Sequence, residues 1–133
     1  MLTIAQLFRT SLDQDNFTIT KTTLSPDCTY TIGAETLIGP DAICRSYEQN
    51  MVEGRKKLDK LEWGQSEIEV ISDSEYFVHF TDYLTHKGIQ FIHQCKQKLS
   101  FNEQGEIMRI EHIDDPEAQA RLDDFYKKVG LKA

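Results

Sequence analysis

FIHQCKQKLSF, residues 91–101, is the stretch that decides the fold, because it alternates with period two, although polar or reactive residues interrupt its apolar face between Phe91 and Leu99. A period of two is that of a β-strand with one face turned inward. The side chains that share this inward face are Phe91, His93, Cys95, Gln97 and Leu99. Polar or reactive side chains that face inward either find partners in a packed core or line a cavity.

The same period of two extends on both sides of this stretch. It runs through four segments, at about 58–71, 76–85, 88–101 and 107–114. The short turns SDSE, HKG and NEQG separate these segments, and connections of that length force neighbouring strands to be antiparallel. The sequence therefore predicts a meander of four long strands.

Helical spacing appears before and after the meander. Apolar residues predict helices over 3–12 and 40–53, with Gly54 ending the second, and a last helix over 116–129. A small hairpin is predicted between them, from strands at 28–32 and 36–38. The expected fold is one α+β domain over 1–133, in which a curved, mainly antiparallel sheet of four to six strands wraps around the N-terminal helices as a cone-shaped barrel.

The amino-acid composition and net charge disfavour several classes of function. The net charge of −7 disfavours binding to nucleic acid, because such binding depends on Lys and Arg side chains that neutralise phosphates. No apolar run approaches the roughly 20 residues of a membrane span, and the N-terminal stretch lacks the pattern of a secretory signal. The spacing of the three cysteines predicts no disulfide framework. We therefore expect a cytoplasmic protein without membrane or nucleic-acid partners.

Two further stretches carry a resemblance to a known family. They are LSPDCTY followed by LIGPDAI, in residues 24–43, and FNEQGEIMRIEHIDD, residues 101–115. Together with the order of elements, they resemble the nuclear transport factor 2-like superfamily, which includes ketosteroid isomerase, scytalone dehydratase and polyketide cyclase-like proteins. The resemblance implies a curved sheet with a deep pocket facing the helices, and a homodimer formed through the other face of the sheet. It does not imply one activity, because this fold hosts many.

Ketosteroid isomerisation is not among the expected activities. The resemblance places the general base of those enzymes near Ile32 and Gly33, and their second acidic group at Gln97. Both carboxyl groups are therefore missing from this sequence. The chain lacks the pair of acids that this proton transfer requires.

The inward positions supply the predicted site. His93 and His112 fall on the inward faces of neighbouring antiparallel strands, where two imidazoles would supply a general acid and a general base. The predicted pocket-lining residues are Tyr30, Tyr47, Trp63, Phe91, Cys95, Gln97 and Ile110. The resemblance to scytalone dehydratase implies inward histidines with tyrosines and an Asp, which Tyr30, Tyr47 and Asp114 match only loosely.

Alternatives to catalysis stay open at this point. Each histidine is also explained as a hydrogen-bonded member of the pocket wall. A metal could be bound by His93, Cys95 and His112, whose residue types and spacing allow it. No HExxH or CxxC motif accompanies them, so we predict neither a metal nor another cofactor. The predicted function is binding of a small organic molecule, with cofactor-free lyase, isomerase or cyclase chemistry. The alternative is a non-enzymatic dimerisation or protein-interaction module with a filled pocket.

Overall fold

The computed structural model describes residues 1–132, which form four helices and seven strands. The helices are α1 (Leu2–Asp13), α2 (Phe17–Thr22), α3 (Pro40–Lys57) and α4 (Pro116–Lys128). The strands are β1 (Leu24–Ile32), β2 (Glu35–Ile38), β3 (Lys60–Trp63), β4 (Glu67–Val70), β5 (Glu75–His86), β6 (Ile89–Phe101) and β7 (Ile107–His112). None of the helices in this range combines the length and apolar character needed to cross a membrane.

All the strands of residues 1–132 belong to one sheet, in the order β2-β1-β7-β6-β5-β3, and β4 also pairs with β5. The predicted α+β fold is confirmed, and so is the antiparallel pairing of the strands between residues 58 and 114. The predicted number of four to six strands was too low. In addition, β1 pairs in parallel with β7, and this pairing joins the N-terminal hairpin to the meander.

The predicted strand at 58–71 is two strands, because residues 64–66 leave the ladder. A Cβ atom added at Gly64 would lie 2.9 Å from the Tyr83 ring, so only glycine allows this close approach. At Ser66, the backbone N–H and the hydroxyl both donate to Asp13 Oδ2 at 2.9 Å. These contacts hold the break between β3 and β4 against the end of α1.

The helices differ from prediction at two places. The stretch FTITKT forms the short helix α2, although its β-branched residues favour strands, and the Asn16 side chain caps it by accepting from the Ile19 N–H. Helix α3 continues past Gly54 to Lys57. A Cβ atom at Gly54 would lie 2.6 Å from Leu61 Cδ2. Gly54 therefore lets α3 pack closely on β3 and does not end the helix.

Two apolar clusters fill the inner face of the sheet. The first joins α1 and α3 to β1, β5, β6 and β7, with Phe8, Ile43, Leu99 and Ile110 fully buried. The second packs Phe125 of α4, and Val129 directly after that helix, near β3, β5 and the start of β6. Helices thus cover both ends of the inner face.

Candidate functional site

A cavity of about 490 Å³ opens on the inner face of the sheet, and its wall includes residues from both apolar clusters. We call it the inner cavity. Strand alternation brings most of the predicted site residues to its wall. Those that line it are Tyr30, Tyr47, Trp63, His93, Cys95, Gln97 and His112.

Two predicted pocket residues lie elsewhere. Phe91 faces inward, but its ring stacks on Phe125 of α4 at 5.2 Å between centroids, in the second apolar cluster. Ile110 is completely buried in the first cluster, between Tyr30 of β1 and Leu99 of β6. Alternation assigned both residues to the correct face. Packing against a helix or a neighbouring strand then removed them from the cavity wall.

Gln97 joins two tyrosines in a hydrogen-bonded chain. The Tyr47 hydroxyl donates to Gln97 Oε1 at 2.6 Å, and Gln97 Nε2 donates to the Tyr30 hydroxyl oxygen at 3.0 Å. Burial raises the pKa of Tyr30 to about 12 and that of Tyr47 well above its ordinary value, so both phenols are protonated at neutral pH. Because Gln97 donates to Tyr30, the Tyr30 O–H proton is not committed to Gln97.

The two inward histidines are neutral at neutral pH. Burial lowers the pKa of His93, and the charge of nearby His112 lowers it further. Burial also lowers the pKa of His112. His112 lies directly across from Gln97 in the ladder between β6 and β7. Its Nδ1 atom is buried and has no hydrogen-bond partner within residues 1–132.

The lack of a hydrogen-bond partner at Nδ1 indicates which tautomer His112 adopts. A buried N–H without an acceptor loses its full hydration. The other ring nitrogen, Nε2, is not among the buried atoms that lack a partner, and His112 lines the cavity. This arrangement favours the tautomer in which Nε2 carries the proton. His112 can then act as a hydrogen-bond donor toward the cavity.

Asp82 is a site residue that the sequence analysis missed. It lies on β5 with Trp63 of β3 on one side and His93 of β6 on the other, and it lines the inner cavity. Burial raises the pKa of this carboxyl group to about 6. The signal for it was present, because Asp82 alternates with Phe80 and Leu84. It was weak because Phe77 and Tyr83 make the opposite face of β5 look equally apolar.

A hydrogen bond to Asp15 fixes Trp63 in the cavity wall. Its indole Nε1 donates to Asp15 Oδ1 at 2.7 Å, and Arg55 donates to Asp15 Oδ2 at 2.8 Å. The Arg55 guanidinium also lies 5.6 Å from the Trp63 ring centroid. The charge of Asp15 is therefore compensated, and the indole is held as a flat apolar surface beside Asp82.

The remaining polar groups do not form a metal centre. Within residues 1–132, no group of three His, Cys, Asp or Glu side chains is arranged to hold a metal ion. Burial, with a contribution from Asp82, raises the pKa of Cys95 to about 12, so its thiol is protonated and a poor metal ligand or nucleophile. His79 lies on the outer face of the sheet with its ring nitrogen 2.7 Å from Glu69.

Solved structures with the same fold have very different sequences. The chain superimposes on a putative polyketide cyclase from Xanthomonas campestris with a TM-score of 0.68 and 8% identity, covering 89% of this chain and 92% of that one. A nuclear transport factor 2-like protein of unknown function from Burkholderia pseudomallei superimposes with a TM-score of 0.68 and 15% identity, covering 91% of this chain and 95% of that one. A Mycobacterium tuberculosis protein in complex with estradiol-17beta-hemisuccinate superimposes with a TM-score of 0.64 and 11% identity, covering 88% of this chain and 95% of that one.

No protein-family model and no curated protein matches the chain. The structural matches show that the chain has the nuclear transport factor 2-like fold, as its sequence motifs predicted. At these identities the likeness extends to the fold alone, and function has to be argued from the site.

Proposed function

We propose that the chain binds a small organic molecule in the inner cavity and transfers a proton on it by acid–base catalysis without a cofactor. The observation that carries this proposal is the convergence of two neutral imidazoles and an uncommitted phenol O–H on one open cavity. A volume of about 490 Å³ lies within the range of small-molecule sites. The reaction class is that of a lyase, isomerase or cyclase.

In this proposal, Tyr30 and His112 bind a substrate oxygen. Tyr30 receives the amide N–H of Gln97 and keeps its own proton for a ligand, and His112 lies across from Gln97 on the next strand. Two donors fixed before binding stabilise the negative charge that develops on a carbonyl or leaving hydroxyl oxygen during the reaction. They need no reorganisation when the charge appears.

His93 is the proposed proton acceptor. It is neutral at neutral pH because burial and the nearby His112 disfavour its charged form. A neutral imidazole on the cavity wall can remove a proton from carbon and return it at another atom. This step is common to isomerisation, elimination and carbon–carbon cyclisation, so it does not depend on which of them follows.

Proton transfer can be tested before the natural substrate is known. A thermal-shift screen of small carbonyl and hydroxyl compounds selects ligands, because a ligand that binds only the folded state raises its melting temperature. Exchange of ligand C–H protons in D₂O is then followed by NMR. We expect His93→Gln to slow enzyme-dependent exchange by about 10²-fold or more, since general-base catalysis contributes about 10²–10⁴-fold.

His79→Gln is the matched control, because His79 is an imidazole on the outer face of the same sheet. It should leave the exchange rate unchanged. Exchange that is equally fast in wild type, His93→Gln and His112→Gln would overturn the proposed chemistry. A screen without any hit would overturn the proposed binding.

We also propose that two copies associate through the outer face of the sheet. Tyr83 and Ile92 lie opposite each other on β5 and β6, and they are 45% and 59% exposed. Exposed apolar side chains grouped on one sheet face are typical of an association surface.

Sedimentation velocity tests the association. We expect a dimer for the wild type and a monomer for Ile92→Glu, because a charge at the centre of a two-fold contact meets its own copy. Val70→Glu is the control, since Val70 is equally exposed, at 62%, but belongs to a strand at the border of the sheet. A wild-type chain that sediments as a monomer at every concentration would contradict the proposal.

A further inference from the structure

The inner cavity carries one charge that no group of the described residues, 1–132, neutralises. Within residues 1–132, no side chain forms a hydrogen bond or an ion pair with Asp82, and burial alone accounts for the direction in which its pKa moves. The other two carboxylates at the cavity wall are occupied. Asp13 accepts two hydrogen bonds from Ser66, and Asp15 accepts from Trp63 and Arg55.

The groups that face Asp82 are uncharged at neutral pH. They are Trp63 on β3, His93 and Cys95 on β6, and Tyr126 on α4. Burial lowers the pKa of His93, and it raises that of Cys95 to about 12 and that of Tyr126 above its usual value. With its own pKa near 6, Asp82 is largely ionised at pH 7.5. The cavity therefore contains a carboxylate without a counter-charge.

The rest of the lining is consistent with a positive ligand. No Lys or Arg side chain lines the cavity in the described part of the chain, so an anionic group would have no partner there and would meet Asp82. Aromatic rings of Trp63, Tyr47 and Phe80 lie in the same wall. Their faces attract cations, most strongly when water is excluded.

We propose that the inner cavity selects ligands that carry a positively charged amine, with the ammonium group bound to the Asp82 carboxylate and the apolar part of the ligand against Trp63. This inference rests on the proposed function and specifies the class of its substrate. Because His93 is directly opposite Asp82 in the ladder between β5 and β6, the carbon next to the bound amine comes close to the imidazole. Gln97, with His112 across from it on β7, lies four residues farther along β6 than His93, a distance of about 13 Å.

The ligand can therefore be described by its two ends. One end is the amine at Asp82, and the other is a carbonyl or hydroxyl oxygen within reach of Tyr30 and His112. An apolar segment, aromatic or aliphatic, joins them along the wall. A carboxylate or phosphate ligand of the same size is excluded by the charge of Asp82.

Trp63 gives a direct readout, because it is the single tryptophan of the chain and lines the cavity. The probes are three compounds with one skeleton: 4-phenylbutylamine, 4-phenylbutanol and 4-phenylbutanoate. Each is titrated at pH 7.5 while tryptophan fluorescence is excited at 295 nm. We expect the amine to bind at least tenfold more tightly than the alcohol, and the carboxylate to bind most weakly.

Asp82→Asn separates charge selection from binding in general. It should weaken amine binding at least tenfold and leave alcohol binding unchanged, while Asp73→Asn, in the exposed turn before β5, should change neither. Asp82→Asn removes a buried, unpaired carboxylate, so we expect its melting temperature at pH 8 to be at or above that of the wild type.

Each remaining outcome has a definite meaning. If the alcohol or the carboxylate binds wild type as tightly as the amine, or if Asp82→Asn leaves amine affinity unchanged, the amine inference is wrong and the proposed function stands. If none of the three probes changes the fluorescence of Trp63 although the thermal-shift screen yields ligands, the amine inference is also wrong and the proposed function stands. A thermal-shift screen without any hit overturns both.

Discussion

Phe8→Ala is expected to lower the free energy of unfolding by about 3–5 kcal/mol, the usual cost of removing a fully buried phenylalanine. The Phe8 side chain is completely inaccessible and belongs to the first apolar cluster, together with Ala5 and Leu12 of the same helix. Its ring also meets the Tyr47 ring edge-on, at 6.3 Å between centroids. The cavity left by alanine therefore also loosens the first member of the hydrogen-bonded chain in the site.

Urea denaturation with an unchanged m-value measures this loss. Leu7→Ala is the matched control, because Leu7 is the neighbouring residue of α1 and is 41% exposed. It should change the free energy of unfolding by about 0.5 kcal/mol or less. Equal losses in the two variants would mean that α1 does not pack on the sheet as described.

Gln97→Leu is expected to cost about 1–3 kcal/mol for each of the two tyrosine hydroxyls that it leaves without a partner. Gln97 is 4% exposed, and leucine has a similar shape but neither accepts from Tyr47 nor donates to Tyr30. The loss comes from stranded polar groups, since the leucine itself is well suited to a buried position.

The triple variant Gln97→Leu, Tyr30→Phe and Tyr47→Phe tests this explanation. Removing all three polar groups together should recover much of the stability, because an apolar replacement of every partner strands none of them. The free energies of unfolding of the single, double and triple variants form the required cycle. A triple variant less stable than Gln97→Leu alone would show that leucine disturbs packing and not hydrogen bonding.

The sequence predicted the inner face of β6 because that face is decided locally. Period two assigns His93, Cys95 and Gln97 to one side whatever the rest of the chain does. Alternation says nothing about what covers each position, and the expectation for Phe91 was wrong for that reason. Its ring lies under α4, and no local pattern marks where that helix crosses the strand.

Other features could not be predicted because distant contacts determine them. Trp63 is oriented by Asp15, 48 residues earlier in the chain. Glycine is typical of a helix end, but Gly54 instead allows the close approach of Leu61 to α3. In β5, aromatic residues on both faces concealed the one inward carboxyl group, Asp82. In α2, tertiary packing overrides a strong local preference for strand.

The parallel pairing of β1 with β7 determines when the fold can be completed during synthesis. Tyr30 pairs with Ile110, which follows it by 80 residues, whereas β5 and β6 are joined by a tight turn whose Lys87 and Gly88 both have positive φ. The hairpin of β5 and β6 can form as soon as it leaves the ribosome, because its loop costs little entropy to close. β1 emerges much earlier, and it cannot form its parallel pairing until β7 has been translated. During that interval only the short β2 can pair with it, and one edge of β1 is open to wrong partners.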